Sequence, residues 1–348
     1  MPRPLRFAVF GAGFWARCQL AAWREVNGVT CVAIYNRTRP RAEALAAACG
    51  IPAVFDDPVA LLEAVRPDFI DNITEVGGHL PLSLLCARHR VPCICQKPMA
   101  GSLADARRMV GAFQRAKTPF LVHENWRWQA PLRQLGVLLA SEIVGTPLRA
   151  RLTMVSGFDV FGNQPALRTL DHFILMDLGS HLLDVSRALF GEARTLACRT
   201  SHTLHHEVAG ENLATLLLTM GPAATHVVIE LGYTRTPLEP GRRELFPQTL
   251  AFVEGTNGSI ELAPDCTIRV TTRRGTRTSR HAPLAYPWVD AAYALVQASI
   301  VPCNIDLLAA LRGRRRAETT GSDNLKTMAL VFAAYKSART GRTIAFPS

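Results

Sequence analysis

Residues 5–10, Leu-Arg-Phe-Ala-Val-Phe, form a short apolar run that feeds directly into Gly11-Ala12-Gly13-Phe14-Trp15-Ala16 and then a helix-like stretch. An apolar strand running into a G-x-G-x-x-A turn that opens a helix is the dinucleotide-binding fingerprint in its required context. Each residue has a physical task. Gly11 permits a tight turn, and Gly13 carries no side chain to hold the backbone away from a pyrophosphate. Ala16 is small enough for the helix to sit close on the strand. The helix N-terminus presents unpaired N–H groups and a positive dipole end to phosphates. Gly11, Ala12, Gly13, Phe14 and Trp15 are therefore the expected phosphate cradle.

The pattern that follows fits this start. Strand-like runs at Arg6–Phe10, Thr30–Tyr35, Ala53–Phe55, Phe69–Ile73, Val91–Cys95 and Phe120–His123 alternate with helical stretches such as Arg41–Cys49, His79–His89 and Leu103–Ala116. Alternation of this length implies right-handed crossovers and a doubly wound parallel sheet, an α/β Rossmann domain over residues 1–123. Its strands read as continuous apolar runs, as expected where both faces are covered. Beyond residue 124 the pattern changes. Helical stretches at Pro131–Ala140 and Phe173–Phe190 flank a strand at Leu148–Ser156. Strands then follow at Leu213–Met220, Thr225–Leu231, Gln248–Glu254, Ser259–Leu262 and Thr267–Thr272, with a hairpin turn in Glu254–Ser259. Consecutive strands predict an α+β domain with a large, mostly antiparallel sheet over residues 124–320. A last amphipathic helix, Ser322–Thr340, buries one face within a C-terminal segment, 321–348.

Bulk properties narrow the class. With 48% hydrophobic and 19% charged residues the 348-residue chain reads as globular. Its net charge of +11 comes from arginines scattered along the sequence, which suits anionic cofactors better than nucleic acid. The dense cluster Arg312-Gly313-Arg314-Arg315-Arg316 reads as a solvated helix end or loop. Nine cysteines without regular spacing, Cys93-x-Cys95 included, read as reduced thiols rather than zinc ligands. No apolar stretch is expected to reach the roughly 18 residues of a membrane span. The first strand begins too early to leave room for a signal peptide, and the expected location is cytoplasmic.

Candidate chemistry lies at the strand ends. The second strand ends Tyr35-Asn36-Arg37, where an acidic residue commonly bonds the adenosine ribose of NAD. Asn36 does not repel a 2′-phosphate and Arg37 can pair with one, so the position leaves NAD or NADP open. Thr74, His79, Gln96 and Lys97 follow the fourth and fifth strands, on the side where open parallel sheets bind ligands. A cis Lys97–Pro98 bond would aim the lysine inward. In the second domain, Asp177 and His181 stand four residues apart and Asp184 three further on, the spacing of one helix face. Such a set can do acid–base work, with Asp184 orienting the imidazole. It can also ligate a metal or serve only the core, although no cysteine or second close histidine completes a zinc site. His202 and the His205-His206 pair have no comparable setting.

Taken in order, Gly11-x-Gly13-x-x-Ala16, Thr74…His79, Lys97-Pro98, Glu124-Asn125-Trp126-Arg127-Trp128 and Asp177-x-Gly179-x-His181-x-x-Asp184 resemble the Gfo/Idh/MocA oxidoreductases along nearly the whole chain. The resemblance implies Lys97, Asp177 and His181 as the catalytic set. It implies cofactor contacts from the glycine turn, Asn36, Arg37, Thr74, His79, Gln96, Lys97, Trp126 and Arg127. Substrate contacts would come from Lys97, Asn125, Arg127, Trp128, Asp177 and His181. No metal is implied. The reaction would be NAD(P)-dependent oxidation of a cyclic aldose or polyol hydroxyl, with a homodimer or homotetramer as the assembly. Segments around Tyr35–Thr38, Cys95–Pro98 and His123–Gln129 are most similar to members that oxidise D-apiose. Inositol or other sugar dehydrogenases, NAD-dependent glycosidases and a non-enzymatic dinucleotide sensor share the remaining features. One departure stands out: Gln96 occupies the place where the family usually has Glu before Lys-Pro, removing a charge beside the cofactor.

Overall fold

The computed structural model describes residues 3–204, 207–234, 246 and 248–347; the His205-His206 pair lies outside them. The chain divides into two compact units, one of residues 1–125, 286–289 and 300–328, the other of residues 126–285, 290–299 and 329–348.

The first unit is a six-stranded parallel sheet in the order β3-β2-β1-β4-β5-β6. Its strands are β1 (Leu5–Phe10), β2 (Val29–Tyr35), β3 (Ala53–Phe55), β4 (Phe69–Asn72), β5 (Cys93–Gln96) and β6 (Phe120–His123). The helices between them are α1 (Phe14–Arg24), α2 (Arg39–Cys49), α3 (Pro58–Val65), α4 (Val76–Arg88) and α5 (Leu103–Ala116). The sequence pattern overlooks α3, although its signals are local: Asp57 accepts a hydrogen bond from Val59 N, and Pro58 stands at the first helical position. α5 shows the grammar in full. Ser102 caps it by accepting from Asp105 N while its hydroxyl bonds Asp105 Oδ2. Ala106, Met109, Val110 and Phe113 form its buried stripe. On β1, Phe7 stacks on Phe69 of β4 with centroids 5.0 Å apart, and Trp23 of α1 leans on both. This core fixes where β1 ends and the glycine turn begins.

The second unit holds α6 (Ala130–Ala140), β7 (Pro147–Ser156), α7 (Ser180–Phe190) and β8 (Ala193–Ser201). It continues with β9 (Leu213–Met220), β10 (Thr225–Tyr233), β11 (Leu250–Gly255), β12 (Gly258–Leu262), β13 (Thr267–Thr272) and β14 (Gly275–Arg280). α8 (Ala294–Ala298) and the short β15 (Ile344–Ala345) also belong to it, whereas α9 (Ile300–Leu311) falls in the first unit and α10 (Gly321–Thr340) begins in the first and ends in the second. The nine-stranded sheet runs β14-β13-β12-β11-β7-β10-β9-β8-β15. It is antiparallel except for the parallel pair β7 and β10. The expected hairpin joins β11 to β12, with Gly255 opposite Gly258 across Thr256-Asn257.

Two sequence expectations need correction. The run Ala291–Leu311 is long and apolar enough to span a membrane, contrary to the reading that no stretch qualifies. Most of it is buried protein core, and Asp306 within it is fully buried. The helix expected over Phe173–Phe190 also is not uniform. Leu175–Gly179 winds as a π-helix before α7 begins, so the simple four-residue rule does not relate Asp177 to His181. All nine cysteines are free thiols, six of them buried.

Candidate active site

In the first unit, β1 ends in a turn that only glycine can make. Gly11 has φ of +109°, and a Cβ there would lie 2.7 Å from Ile73 O. Its N–H donates to Tyr35 O at 2.8 Å, tying the turn to the end of β2. Gly13 caps α1 with extended backbone, and a Cβ built on it would meet nothing within 4 Å. The N-terminus of α1 thus faces open space beside a bare backbone, which is the geometry a pyrophosphate requires. Phe14 and Trp15, their rings packed edge to face, form the first turn next to half-buried Ala12.

Around this turn lie the other strand ends. Asn36 donates to Thr38 O at 2.9 Å, shaping the loop after β2, and Arg37 beside it is exposed. Thr74 Oγ1 donates to Asn72 Oδ1 at 2.7 Å. His79 is placed differently from the expectation of a cofactor contact. It is buried, with Nδ1 3.0 Å from Pro98 O and Nε2 2.9 Å from Thr74 O. Burial pushes its pKa down. Its ring clasps the loops after β4 and β5. The Lys97–Pro98 bond is cis, and Lys97 is half-buried. Gln96 sends Nε2 to Gln19 Oε1 and accepts the Lys97 N–H on Oε1.

In the second unit, Asp177 sits in the π-turn and His181 in the first turn of α7. Glu211 holds the start of this segment. Its carboxylate accepts from Phe173 N and Leu175 N, its backbone carbonyl accepts from Ile174 N, and Tyr335 Oη donates to it at 2.7 Å. A carboxylate at a helix N-terminus is favoured by the exposed N–H groups and by the dipole. Half-buried Asp177 receives a long hydrogen bond, 3.5 Å, from Tyr233 Oη at the end of β10. Burial and the neighbouring Asp177 raise the Tyr233 pKa, keeping the phenol a donor.

His181 is almost fully buried and stacks on Trp126, with ring centroids 4.1 Å apart and an interplanar angle of 27°. Trp126 in turn donates Nε1 to Thr249 Oγ1 at 2.9 Å. The neighbouring Arg127, expected at cofactor and substrate, gives Nε and Nη2 to the two oxygens of Asp184 at 2.7 and 2.6 Å. Asp184 is fully buried, and Arg187 Nη1 lies 3.9 Å from it. Asp184, expected to orient His181, accepts a bidentate clamp from Arg127. Trp128 carries the Arg133 guanidinium over its ring at 4.4 Å, and Asn125 is buried. Sequence reasoning missed Tyr233, Glu211 and Gln19. Tyr233 had a signal, because the inward alternation Val227, Ile229, Leu231 extends to it.

The glycine turn with its open helix N-terminus and the Asp177–His181 segment are now located, and comparison with known proteins decides the family. The Oxidoreductase family description, NAD-binding Rossmann fold, matches residues 5–124, and the GFO/IDH/MocA C-terminal domain matches residues 132–261. The chain belongs to the Gfo/Idh/MocA oxidoreductase family. As a member it is an NAD(P)-dependent oxidoreductase, and its first unit is an NAD-binding Rossmann fold. It is 42% identical to D-apiose dehydrogenase of Paraburkholderia graminis over 98% of this chain and 89% of that protein. It is 38% identical to D-apiose dehydrogenase of Rhizobium rhizogenes over 98% of this chain and 97% of that one. An oxidoreductase from Agrobacterium radiobacter, crystallised with NAD+, L-tartaric acid and magnesium, superposes with a TM-score of 0.94 at 37% identity, covering 98% of both chains. Inositol and glucoside dehydrogenases are more distant relatives, matching about half of the chain.

Proposed function

We propose that this family member oxidises D-apiose or a closely similar cyclic aldose to its lactone, using NAD as hydride acceptor. The observation that carries the reading is identity of 42% and 38% to two D-apiose dehydrogenases over almost the entire chain. The residues present suit the cofactor. Gly13 leaves open space at the α1 N-terminus, and Asn36 at the end of β2 bears no charge against either ribose hydroxyls or a 2′-phosphate.

In this reading Gly11, Ala12, Gly13, Phe14 and Trp15 hold the pyrophosphate, Asn36 and Arg37 the adenosine ribose, and Thr74 and Gln96 the nicotinamide end. NAD, when bound, would supply the acceptor for the hydride of the anomeric carbon. His181 takes the proton of the anomeric hydroxyl, so that the C–H and O–H bonds break and a C=O bond forms. An imidazole changes protonation near neutral pH, which suits it to this task. Lys97 serves as a hydrogen-bond donor that stabilises developing negative charge on the substrate. Asp177, steadied by Tyr233, anchors the substrate, with Asn125 and Trp128 as further contacts. Arg127 acts through Asp184, seating Trp126 beneath His181.

The test is a screen of absorbance at 340 nm with D-apiose, other pentoses, hexoses and inositols, each with NAD and NADP. The reading expects D-apiose with NAD to give the highest kcat/KM. A preference for inositols, or sugar release without net reduction, contradicts it.

A further inference from the structure

The carboxylate of Asp71 on β4 is fully buried, and the hydrogen bonds from Gln19 and Trp23 are all donated to it. Gln19 Nε2 lies 2.9 and 3.0 Å from its two oxygens, and Trp23 Nε1 lies 2.7 Å from Oδ2. Gln19 Oε1 accepts from Gln96 Nε2 at 2.9 Å, and Gln96 Oε1 accepts from the Lys97 backbone N–H at 2.8 Å. The polarity of this chain is forced from one end. A backbone N–H can only donate, so the Gln96 oxygen must face Lys97. The Gln96 nitrogen must then face Gln19, whose oxygen receives it and whose own nitrogen is left for Asp71. An ionised carboxylate, which only accepts, is the terminus this order requires.

We propose that Asp71 is a positioning residue that fixes, through Gln19, which way the Gln96 amide faces at the carboxyl end of β5, and that glutamine at position 96 is matched to the carboxylate at 71. The proposal rests on the dinucleotide reading of this site but not on the identity of the sugar. A glutamate at position 96 could only accept, so Gln19 would have to turn its nitrogen toward that position and its oxygen toward Asp71. Two acceptors would then face each other unless Asp71 held a proton. In the wild-type chain the logic is reversed: protonated Asp71 needs an acceptor, and only a flipped Gln19 supplies one, setting two N–H groups against each other at Gln96.

The surroundings of Asp71 favour this control. It pairs with Val9 of β1 and Ile94 of β5, and α1 supplies neutral Gln19 and Trp23. Titratable neighbours that feel its charge include the Cys31 thiol on β2 and the Cys95 thiol on β5, both pushed up by burial and so uncharged. Burial raises Asp71 itself to about 7, against the donated bonds of Trp23 and Gln19.

The experiment is a fluorescence titration of NADH into the full chain at about pH 6 and about pH 8.5, with circular dichroism as the folding control. The wild type is expected to bind more tightly at the higher pH. Gln96→Glu is expected to invert that slope, losing about tenfold in affinity at high pH, the scale of one buried unmatched hydrogen bond. Asp71→Asn with Gln96→Glu restores a donor at position 71 and is expected to recover binding with a flat profile. A Gln96→Glu slope of the same sign as the wild type, or a folded double variant no better than Gln96→Glu at high pH, overturns the proposal. Should the double variant not fold, the sign of the Gln96→Glu slope decides alone. Absence of NADH binding to the wild type at either pH overturns the dinucleotide reading and this proposal with it.

Discussion

Arg127 grips Asp184 with both arms of its guanidinium, 2.7 and 2.6 Å from the two carboxylate oxygens, on the same helix that carries His181. Both side chains are buried. Removing one partner of such a pair leaves a charge without its counterion. Arg127→Ala is therefore expected to destabilise the fold by about 3 kcal/mol, softened by Arg187 nearby. Urea unfolding measures it. A loss under about 1 kcal/mol would show that the clamp is not structural.

The two glycines of the turn should separate binding from folding. Gly13→Ala adds a methyl where nothing lies within 4 Å, so the melting temperature is expected to hold while NADH affinity falls at least about tenfold. Gly11→Ala meets Ile73 O in a left-handed conformation and should cost stability as well. Equal effects of the two substitutions on melting would contradict this assignment.

Asp71 makes a signed prediction for stability. Its folded pKa is raised from 3.8 to about 7, so between about pH 4 and 7 the folded chain holds a proton that the unfolded chain has lost. The stability this contributes is complete below about pH 4 and is lost as pH rises through about 7. From pH 4.5 to 8 the wild type should lose on the order of 2–4 kcal/mol more than Asp71→Asn. Asp68 and Asp265, whose pKa values are lowered, titrate below this window. Parallel profiles for the two proteins would refute the raised pKa.

Tyr233→Phe removes the hydroxyl that reaches Asp177 at 3.5 Å while keeping the ring stacked on Phe173. The expected result is a fall of about three- to tenfold in kcat/KM with little change in the unfolding midpoint. Unchanged kinetics would leave Asp177 independent of Tyr233.

Much of this molecule is legible in local sequence. The alternation of apolar runs and helical stretches gives the parallel sheet, and the glycine turn follows from the backbone needs of Gly11 and Gly13. Asp177 and His181 come from spacing and resemblance. What escapes is chemistry that depends on a distant partner. Asp184 looks like a member of the histidine's helix face, yet Arg127, 57 residues earlier in the chain, takes its carboxylate. His79 looks like a ligand contact until two backbone carbonyls enclose its ring. The π-turn around Asp177 has no composition of its own; Glu211, from a strand-bound segment, and Tyr335, from the last helix, hold its start. The Asp71–Gln19–Gln96 chain likewise spans three elements, and no periodicity reveals it.

The most direct measurement is the initial rate of NADH formation from D-apiose and NAD by the wild type and by Lys97→Ala, with NADH binding followed on both proteins. The account expects steady turnover by the wild type and a fall of at least about a hundredfold for Lys97→Ala, with NADH still bound. Turnover by Lys97→Ala equal to the wild type, or a wild type that binds NAD yet oxidises no aldose, would contradict it.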